Sequence, residues 1–343
     1  MRPDLSPRRG RILKHVVEEY VVTAQPVSSD VLVKKYVPSV SSATVRNELA
    51  ALEGLGYLSH PHTSAGRVPS DAGYRYYVQW LMAGVRLSDT EERTISHQFH
   101  QVELSVDQWG RLAASVLASR LQNPVMVSAP ISSTARLRHL DLVPVGAAGL
   151  LLVVMLQSGA VRQQLLRLPE EWLMEPLTNT VRDWNEQLSG RSSAEIHGVV
   201  VTEWQRALRD SVVQLLEDVD RESAAGTSEV RIEGLGYMAA QPEFGTSDRL
   251  QPVVDALEHH GVLSSLMEPL VQAGGVYVAI GHEQPLERLR ECTVVLATYG
   301  RPGEMMGVIG VIGPTRLAYW RTVPMVGFVA GMLGHLLEDT YLS

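Results

Sequence analysis

The chain has 343 residues, 45% hydrophobic and 20% charged, enough apolar material for a substantial core and, by length, for two or three domains. Its single cysteine, Cys292, excludes an internal disulfide and any multi-thiolate metal site within one chain, and a reducing cytoplasm is the expected home. The net charge of −8 is uneven: residues 1–80 hold ten Lys and Arg against seven Asp and Glu, a balance of +3, so the remainder carries −11.

Such asymmetry suggests a small module that approaches a polyanion and an acidic body that would be repelled by it, although +3 is modest and ordinary surface scatter gives the same balance. "MRPDLSPRRGRILKHVVEEY" contains no apolar run of the signal-peptide kind. The longest later run, "VPMVGFVAGMLG", falls short of the roughly 20 residues that span a bilayer. Neither export nor membrane insertion is expected.

"SPRRGRILKHVVEEY" predicts a first helix with Ser6 as N-cap, Pro7 at its first position, and Ile12, Leu13, Val16, Val17 and Tyr20 on one face, ending near Thr23. Arg8, Arg9, Arg11 and Lys14 crowd its first turns. The helix dipole disfavours cations there, and an external anion is the simplest compensation, plain solvation being the alternative. "PVSSDVLVKKY" predicts a second helix capped at Ser28 or Ser29, and "VPSVSSATVRNELAALEGLG" a third, capped at Ser41 or Ser42 and closed by Gly54 or Gly56. "YLSHPHTSAGRVP" then reads as a β-hairpin, and Ser70 caps the helix "DAGYRYYVQWLM". Three helices and a hairpin make a winged helix-turn-helix over residues 1–82.

Residues 83–105 are polar and read as a linker helix, followed by the apolar helix "LAASVLASRL". Strands are expected in "NPVMVSAP", "ARLRHLDLVPV" and "GLLLVVMLQSGAVRQQLLRLP", the last turning at Ser158-Gly159. The pattern is helical from Glu171 to about Glu222. Strands return in "VYVAIGHE", "CTVVLATYG" and "MMGVIGVIGP" before a closing helix from Val326 to Tyr341. A helical insertion into a sheet domain fits this alternation, and the fold class is α+β, multidomain.

Rotation by about 100° per residue groups Val45, Leu49 and Leu52 on one side of the third helix and Ala43, Asn47, Ala50 and Gly54 on the other, flanked by Thr44 and Arg46. Small side chains around one amide let a helix lie deep in a DNA major groove, where asparagine pairs with adenine and Arg46 reaches guanine or phosphate. An ordinary solvent face has the same pattern; the preceding helices and following hairpin favour DNA. In the hairpin, Pro61 stiffens the tip, and Arg67 beside Thr63 and Ser64 suits phosphate or minor-groove contact. His60 and His62 lack further ligands nearby, so a structural or phosphate-facing role is expected rather than a metal.

Two glycine patterns carry less. "GLGYMA" at residues 234–239 fits the dinucleotide fingerprint formally, but Pro242 follows too soon for the helix that pyrophosphate requires. "GVIGVIGPT" lacks the Gly-Lys-Ser/Thr ending of a phosphate loop. Cys292 opens an apolar strand and reads as a buried structural thiol. No cofactor is expected.

The run "SSATVRNELAALEGLGYLSHPHTSAGRVPSDAGYRYYV" resembles the heat-inducible transcription repressor family HrcA, and "VAIGHE", "TVVLATYG" and "GVIGVIGPTRLAY" look like that family's distal motifs. The likeness spans nearly the whole chain and is least distinctive from Arg191 to Met267. It implies a winged helix, a GAF-like α/β domain over residues 106–190 and 271–343, and a mainly helical dimerisation domain inserted at 191–270. It further implies a homodimer, not an enzyme, that represses heat-shock operons from an inverted-repeat operator called CIRCE, under control of the chaperonin GroEL. Carried over by position, Thr44, Arg46, Asn47, Arg67 and Arg75 are candidate contacts to double-stranded DNA, with Ser42 as cap. Arg8, Arg9, His62 and Thr63 join them from the charge and hairpin arguments.

The rival class is an enzyme or a nucleotide- or other small-molecule-binding protein in which Val106 to Ser343 does the chemistry and the N-terminal helices serve assembly. Salt-sensitive affinity for an inverted repeat separates the repressor from it. Near-neutral mean hydropathy, with the resemblance, further suggests a marginally stable body that loses its DNA-competent dimer on warming.

Overall fold

The structure is a computed structural model that describes residues 5–61, 66–100, 106–132, 134–146, 149–167, 177–224, 230–258, 275–301 and 304–342. The chain is mixed helix and sheet and divides into two compact units. One comprises Met1–Val127, Arg231–Thr298 and Ile309–Ala330; the other comprises Ser128–Val230, Tyr299–Val308 and Gly331–Ser343.

The first unit opens with α1 (Pro7–Thr23), α2 (Ser29–Lys35) and α3 (Ser42–Gly54). Ser6 Oγ accepts from the Arg9 amide at 3.3 Å and Pro7 occupies the first turn, so α1 starts where its sequence places it. Its Ile12, Leu13, Val16 and Val17 are almost wholly buried, as are Leu32, Val45 and Leu52 from the next two helices. A two-stranded hairpin follows, β1 (Leu58–Ser59) and β2 (Val68–Pro69), with Leu58 opposite Pro69 and Ser59 opposite Val68. Arg67 extends it by a backbone bridge to Val27, each amide donating to the other's carbonyl at 2.8 and 2.9 Å.

Directly after β2 comes α4 (Asp71–Tyr76), which runs on as a π-helical turn at Tyr77–Leu81. Ser70 caps it by accepting from the Gly73 amide at 3.1 Å, while its own hydroxyl donates to the Gly56 carbonyl at 2.6 Å. Gly73 has no freedom to change: a Cβ there would collide with the Tyr57 carbonyl. The end of α3 and the start of α4 are thus joined through the hairpin base. Among the described residues of the linker, α5 (Asp89–His100) is helical, and α6 (Val106–Leu121) lies beyond it.

Six strands form one sheet: β3 (Val125–Ser128), β4 (Ile131–Ser132), β8 (Val230–Glu233), β9 (Val276–Ile280), β10 (Cys292–Gly300) and β11 (Met305–Pro314). Their order is β8-β3-β11-β10-β9, with β4 also on β11. Buried Val, Ile and Leu side chains fill β10 and β11, as continuous apolar runs require when both faces are covered. The closing helix, α12 (Tyr319–Leu337), begins seven residues before the position predicted for it. Pro324 sits inside rather than ahead of it, and the fully buried Tyr319 anchors its first turn.

The second unit carries β5 (Leu137–Val145), β6 (Gly149–Leu156) and β7 (Val161–Arg167), an antiparallel meander turning at Ser158-Gly159, with α7 (Leu177–Leu188), α8 (Ser193–His197) and α9 (Glu203–Ala224). Leu140, Leu142, Leu150, Leu152 and Val154 pack with Trp184, Ile196, Leu208, Val212 and Leu216 in one core. Asn185 ties helix to sheet, its amide oxygen and nitrogen each 2.8 Å from the backbone of Leu140. The boundary at residue 190 that the resemblance implies passes through this core. Residues 168–176 and 259–274 lie outside the described residues.

Behind β8, the "GLGYMA" stretch forms α10 (Leu235–Ala239), followed by a 3-10 turn at Pro242–Phe244 and α11 (Ser247–Glu258). A helix of five residues has little dipole to offer a pyrophosphate, and the Glu233 carboxylate lines the adjoining cleft with Ser115, Ser119 and Tyr237. Cys292 is fully buried and burial pushes its thiol up to about 12. Among the described residues, no helix is long and apolar enough to cross a membrane and no cluster of His, Cys, Asp or Glu is set to hold a metal.

Candidate nucleic-acid interface

The two serines that open α3 have different tasks. Ser41 is the cap: its backbone is extended (φ −65°, ψ 147°) and its Oγ accepts from the Thr44 amide at 3.1 Å and lies 2.8 Å from the Thr44 hydroxyl. Ser42 is already helical, and its hydroxyl donates to Asp30 Oδ1 at 2.9 Å, 3.2 Å from Ser29 Oγ. Assigning Ser42 as cap was therefore wrong by one residue. It instead stitches α3 to the first turn of α2, where Ser28 is the cap.

The predicted two-sidedness of α3 is present: Val45, Leu49 and Leu52 are buried, while Ala43, Asn47, Ala50 and Gly54 are exposed. The Asn47 amide makes no hydrogen bond to any described residue. Arg46 reaches Ser29 Oγ and Ser42 Oγ only at 3.4 Å each and is otherwise exposed. Such long contacts hold a guanidinium loosely.

Ion pairs occupy three of the module's acids. Arg9 Nε donates to Glu48 at 2.9 Å, joining α1 to α3, and Arg67 Nε donates to Glu53 at 2.8 Å, joining the hairpin base to the end of α3. Glu19, buried in α1, accepts from Lys35 Nζ and from the Tyr36 hydroxyl at 2.6 Å each. The Lys35 and Tyr36 hydrogen bonds hold its carboxyl below the usual range. Tyr36 also stacks on His15 at 4.6 Å between ring centroids. Arg8, Arg11, Lys34 and Arg46 are exposed and make no ion pair among the described residues. A surface with paired acids and free cations attracts phosphate.

The sequence-derived residues therefore separate into groups. Thr44, Arg46 and Asn47 lie together on the first two turns of α3, and Arg8 is an exposed cation on α1. Arg9 and Arg67 are each committed through Nε to a glutamate, although both amino groups of Arg67 make no hydrogen bond to any described residue. His62 and Thr63 fall outside the described residues. Arg75 is elsewhere: its guanidinium grips Glu283 through Nε at 2.7 Å and through Nη2, and Nη2 also donates to the Val278 carbonyl at 2.6 Å. Arg11 entered only with the cations crowding the first turns of α1, and Lys34 is not among the candidates, because lysine at a solvent position of a short helix is too common to single out.

Residues 107–323 match the model for the HrcA protein C-terminal domain. The chain is 41% identical to a heat-inducible transcription repressor HrcA of Roseiflexus sp. over 99% of this chain and 97% of that protein. It belongs to the HrcA family. The corresponding repressors of Chloroflexus aurantiacus and Thermomicrobium roseum are 39% and 37% identical, again over 99% of this chain. A crystal structure of a hypothetical protein has the same fold, with a TM-score of 0.68 at 23% identity over 98% of this chain and all of that one. The HrcA relatives carry the name of transcription repressors rather than of enzymes.

Proposed function

We propose that this HrcA-family chain is a homodimeric repressor of heat-shock operons whose α1–α3 and β1–β2 act as a winged helix on a CIRCE-type inverted repeat. The observation that carries this reading is the exposed face of α3, where Asn47 stands unpartnered among Ala43, Ala50 and Gly54. A helix with that profile lies close to base edges; the amide pairs with adenine N6 and N7, and Arg46 swings from its loose serine contacts to guanine or phosphate. Arg8, Arg11, Lys34 and the free amino groups of Arg67 neutralise backbone phosphates.

Two such modules related by a two-fold axis match an inverted repeat. In this reading dimerisation involves the β5–β7 unit as well as residues 191–270, which is supported by an outer sheet face that leaves Val143, Val161 and Leu165 about half exposed. The GAF-like description belongs to the six-stranded sheet, and repression released on heating under chaperonin control follows the family's heat-inducible character.

The test is fluorescence anisotropy with an inverted-repeat duplex and a scrambled one, at several salt concentrations and with and without chaperonin. Steep salt dependence, a preference for the inverted repeat of about 10³-fold or more, and tighter binding with chaperonin are expected. Equal affinity for the two duplexes would remove the reading.

A further inference from the structure

Asp71 and Arg75 lie one helical turn apart on α4, and both reach across the first unit to a single short segment, the end of β9 and the 3-10 turn at Gly281–Glu283. Asp71 Oδ2 accepts from the His282 amide and lies 2.9 Å from both that nitrogen and His282 Nδ1. Gly281 has φ +53°, and a Cβ on it would run into the Asp71 carboxylate. Glu283 takes both nitrogens of Arg75 and also the Ile280 amide at 2.8 Å, so its two oxygens are committed on both sides of the junction. Fork-to-fork pairing of this kind fixes orientation as well as distance.

Two further contacts flank this clasp. Tyr74 and Tyr77 pack on Tyr319, and Tyr77 on Trp320, at 5.5 to 6.5 Å between ring centroids. Arg316, paired with Glu243, donates to the Val21 carbonyl at the end of α1 at 3.3 Å. The aromatic contacts supply apolar area, whereas the short directional bonds are those of Asp71 and Arg75, the Arg316 bond being the longest at 3.3 Å. From α4 the constraint passes to α3 through Ser70, whose amide donates to the Tyr57 carbonyl and whose hydroxyl donates to the Gly56 carbonyl.

We infer that Asp71 and Arg75 are positioning residues for operator recognition: the clasp on residues 280–283 sets the angle at which the body presents α3, and Arg75 does not touch DNA. This rests on the repressor reading above. With the clasp intact, the two heads of a dimer meet half-sites at one separation; with it broken, each head pivots on the aromatic contacts and accepts several.

The experiment uses the full-length protein and inverted-repeat duplexes whose half-site separation is changed in single base-pair steps across half a helical turn. The variants are Arg75→Ala, Glu283→Ala, their double, and the exchange Arg75→Glu with Glu283→Arg, each checked for native circular dichroism and melting. For the unmodified protein, affinity peaks at one separation. Arg75→Ala and Glu283→Ala each lower that peak about tenfold and flatten the profile, the double is no worse than either, and the exchange restores the peak. The salt slope stays unchanged throughout.

A salt slope reduced by about one in Arg75→Ala, with Glu283→Ala unaffected, would show Arg75 on a phosphate and overturn the inference. Profiles of both single variants that match the unmodified protein would overturn it as well. Failure of the unmodified protein to prefer any inverted repeat would instead remove the repressor reading, and the clasp's role with it.

Discussion

Replacing Glu19 with glutamine tests how the helices behind α3 are held. The carboxylate is almost fully buried, with one oxygen 2.6 Å from Lys35 Nζ and the other 2.6 Å from the Tyr36 hydroxyl. Lys35 is itself half exposed, so losing its charged partner costs about 0.5–1 kcal/mol after solvent screening. Converting the Tyr36 bond from a charged to a neutral acceptor costs about 1 kcal/mol, and the new buried amide nitrogen lacks a partner, another 1 kcal/mol or so. Glu19→Gln is thus expected to lower the stability of this module by about 2–3 kcal/mol at pH 7, read from the urea midpoint.

The folded carboxyl titrates below the unfolded one, so its contribution is complete above the ordinary glutamate range and is lost as the pH falls through the folded value. The gap between the two proteins should therefore close on acidification. In the same variant the Tyr36 hydroxyl, held up to about 12 chiefly by its bond to Glu19, should ionise at lower pH, visible in the ultraviolet. A variant as stable as the parent at pH 7, or a gap that does not narrow on acidification, would refute this account of the α1–α2 junction.

Two further outcomes follow from burial and pairing. Cys292, inaccessible and with its thiol pushed up to about 12, should resist a thiol reagent at pH 8 in the folded protein and react on unfolding; rapid native labelling would contradict its place at the start of β10. Arg67→Ala should weaken binding to specific and unrelated duplexes alike and reduce the salt slope by about one, through loss of a phosphate contact; an unchanged slope in anisotropy titrations would leave Arg67 only its bond to Glu53.

Local chemistry made much of this chain legible. Ser6 and Pro7 announced the start of α1, the spacing of Val45, Leu49 and Leu52 gave the buried side of α3, and Ser158-Gly159 marked the turn between β6 and β7. Each signal is written within a few residues of the feature it specifies. What stays hidden is written at a distance. Arg75 is a candidate DNA contact by its position in the resemblance, but its bond to Glu283, 208 positions away, is one that no local pattern announces. Likewise, the resemblance implies a boundary at residue 190, whereas packing joins Leu152 to Leu208 and Val212 in one core. The neighbouring serines at the head of α3 were one residue apart in a pattern that either could have capped, and only the extended backbone of Ser41 decides between them.

The most direct test of the central claim is the affinity of Asn47→Ala for an inverted-repeat duplex and for a scrambled one of equal length, beside the unmodified protein. If α3 reads bases through that amide, the variant loses about 1–3 kcal/mol on the inverted repeat, keeps its affinity for the scrambled duplex, and retains the same salt slope. An unchanged preference for the inverted repeat would show that the exposed face of α3 is not the surface that reads DNA.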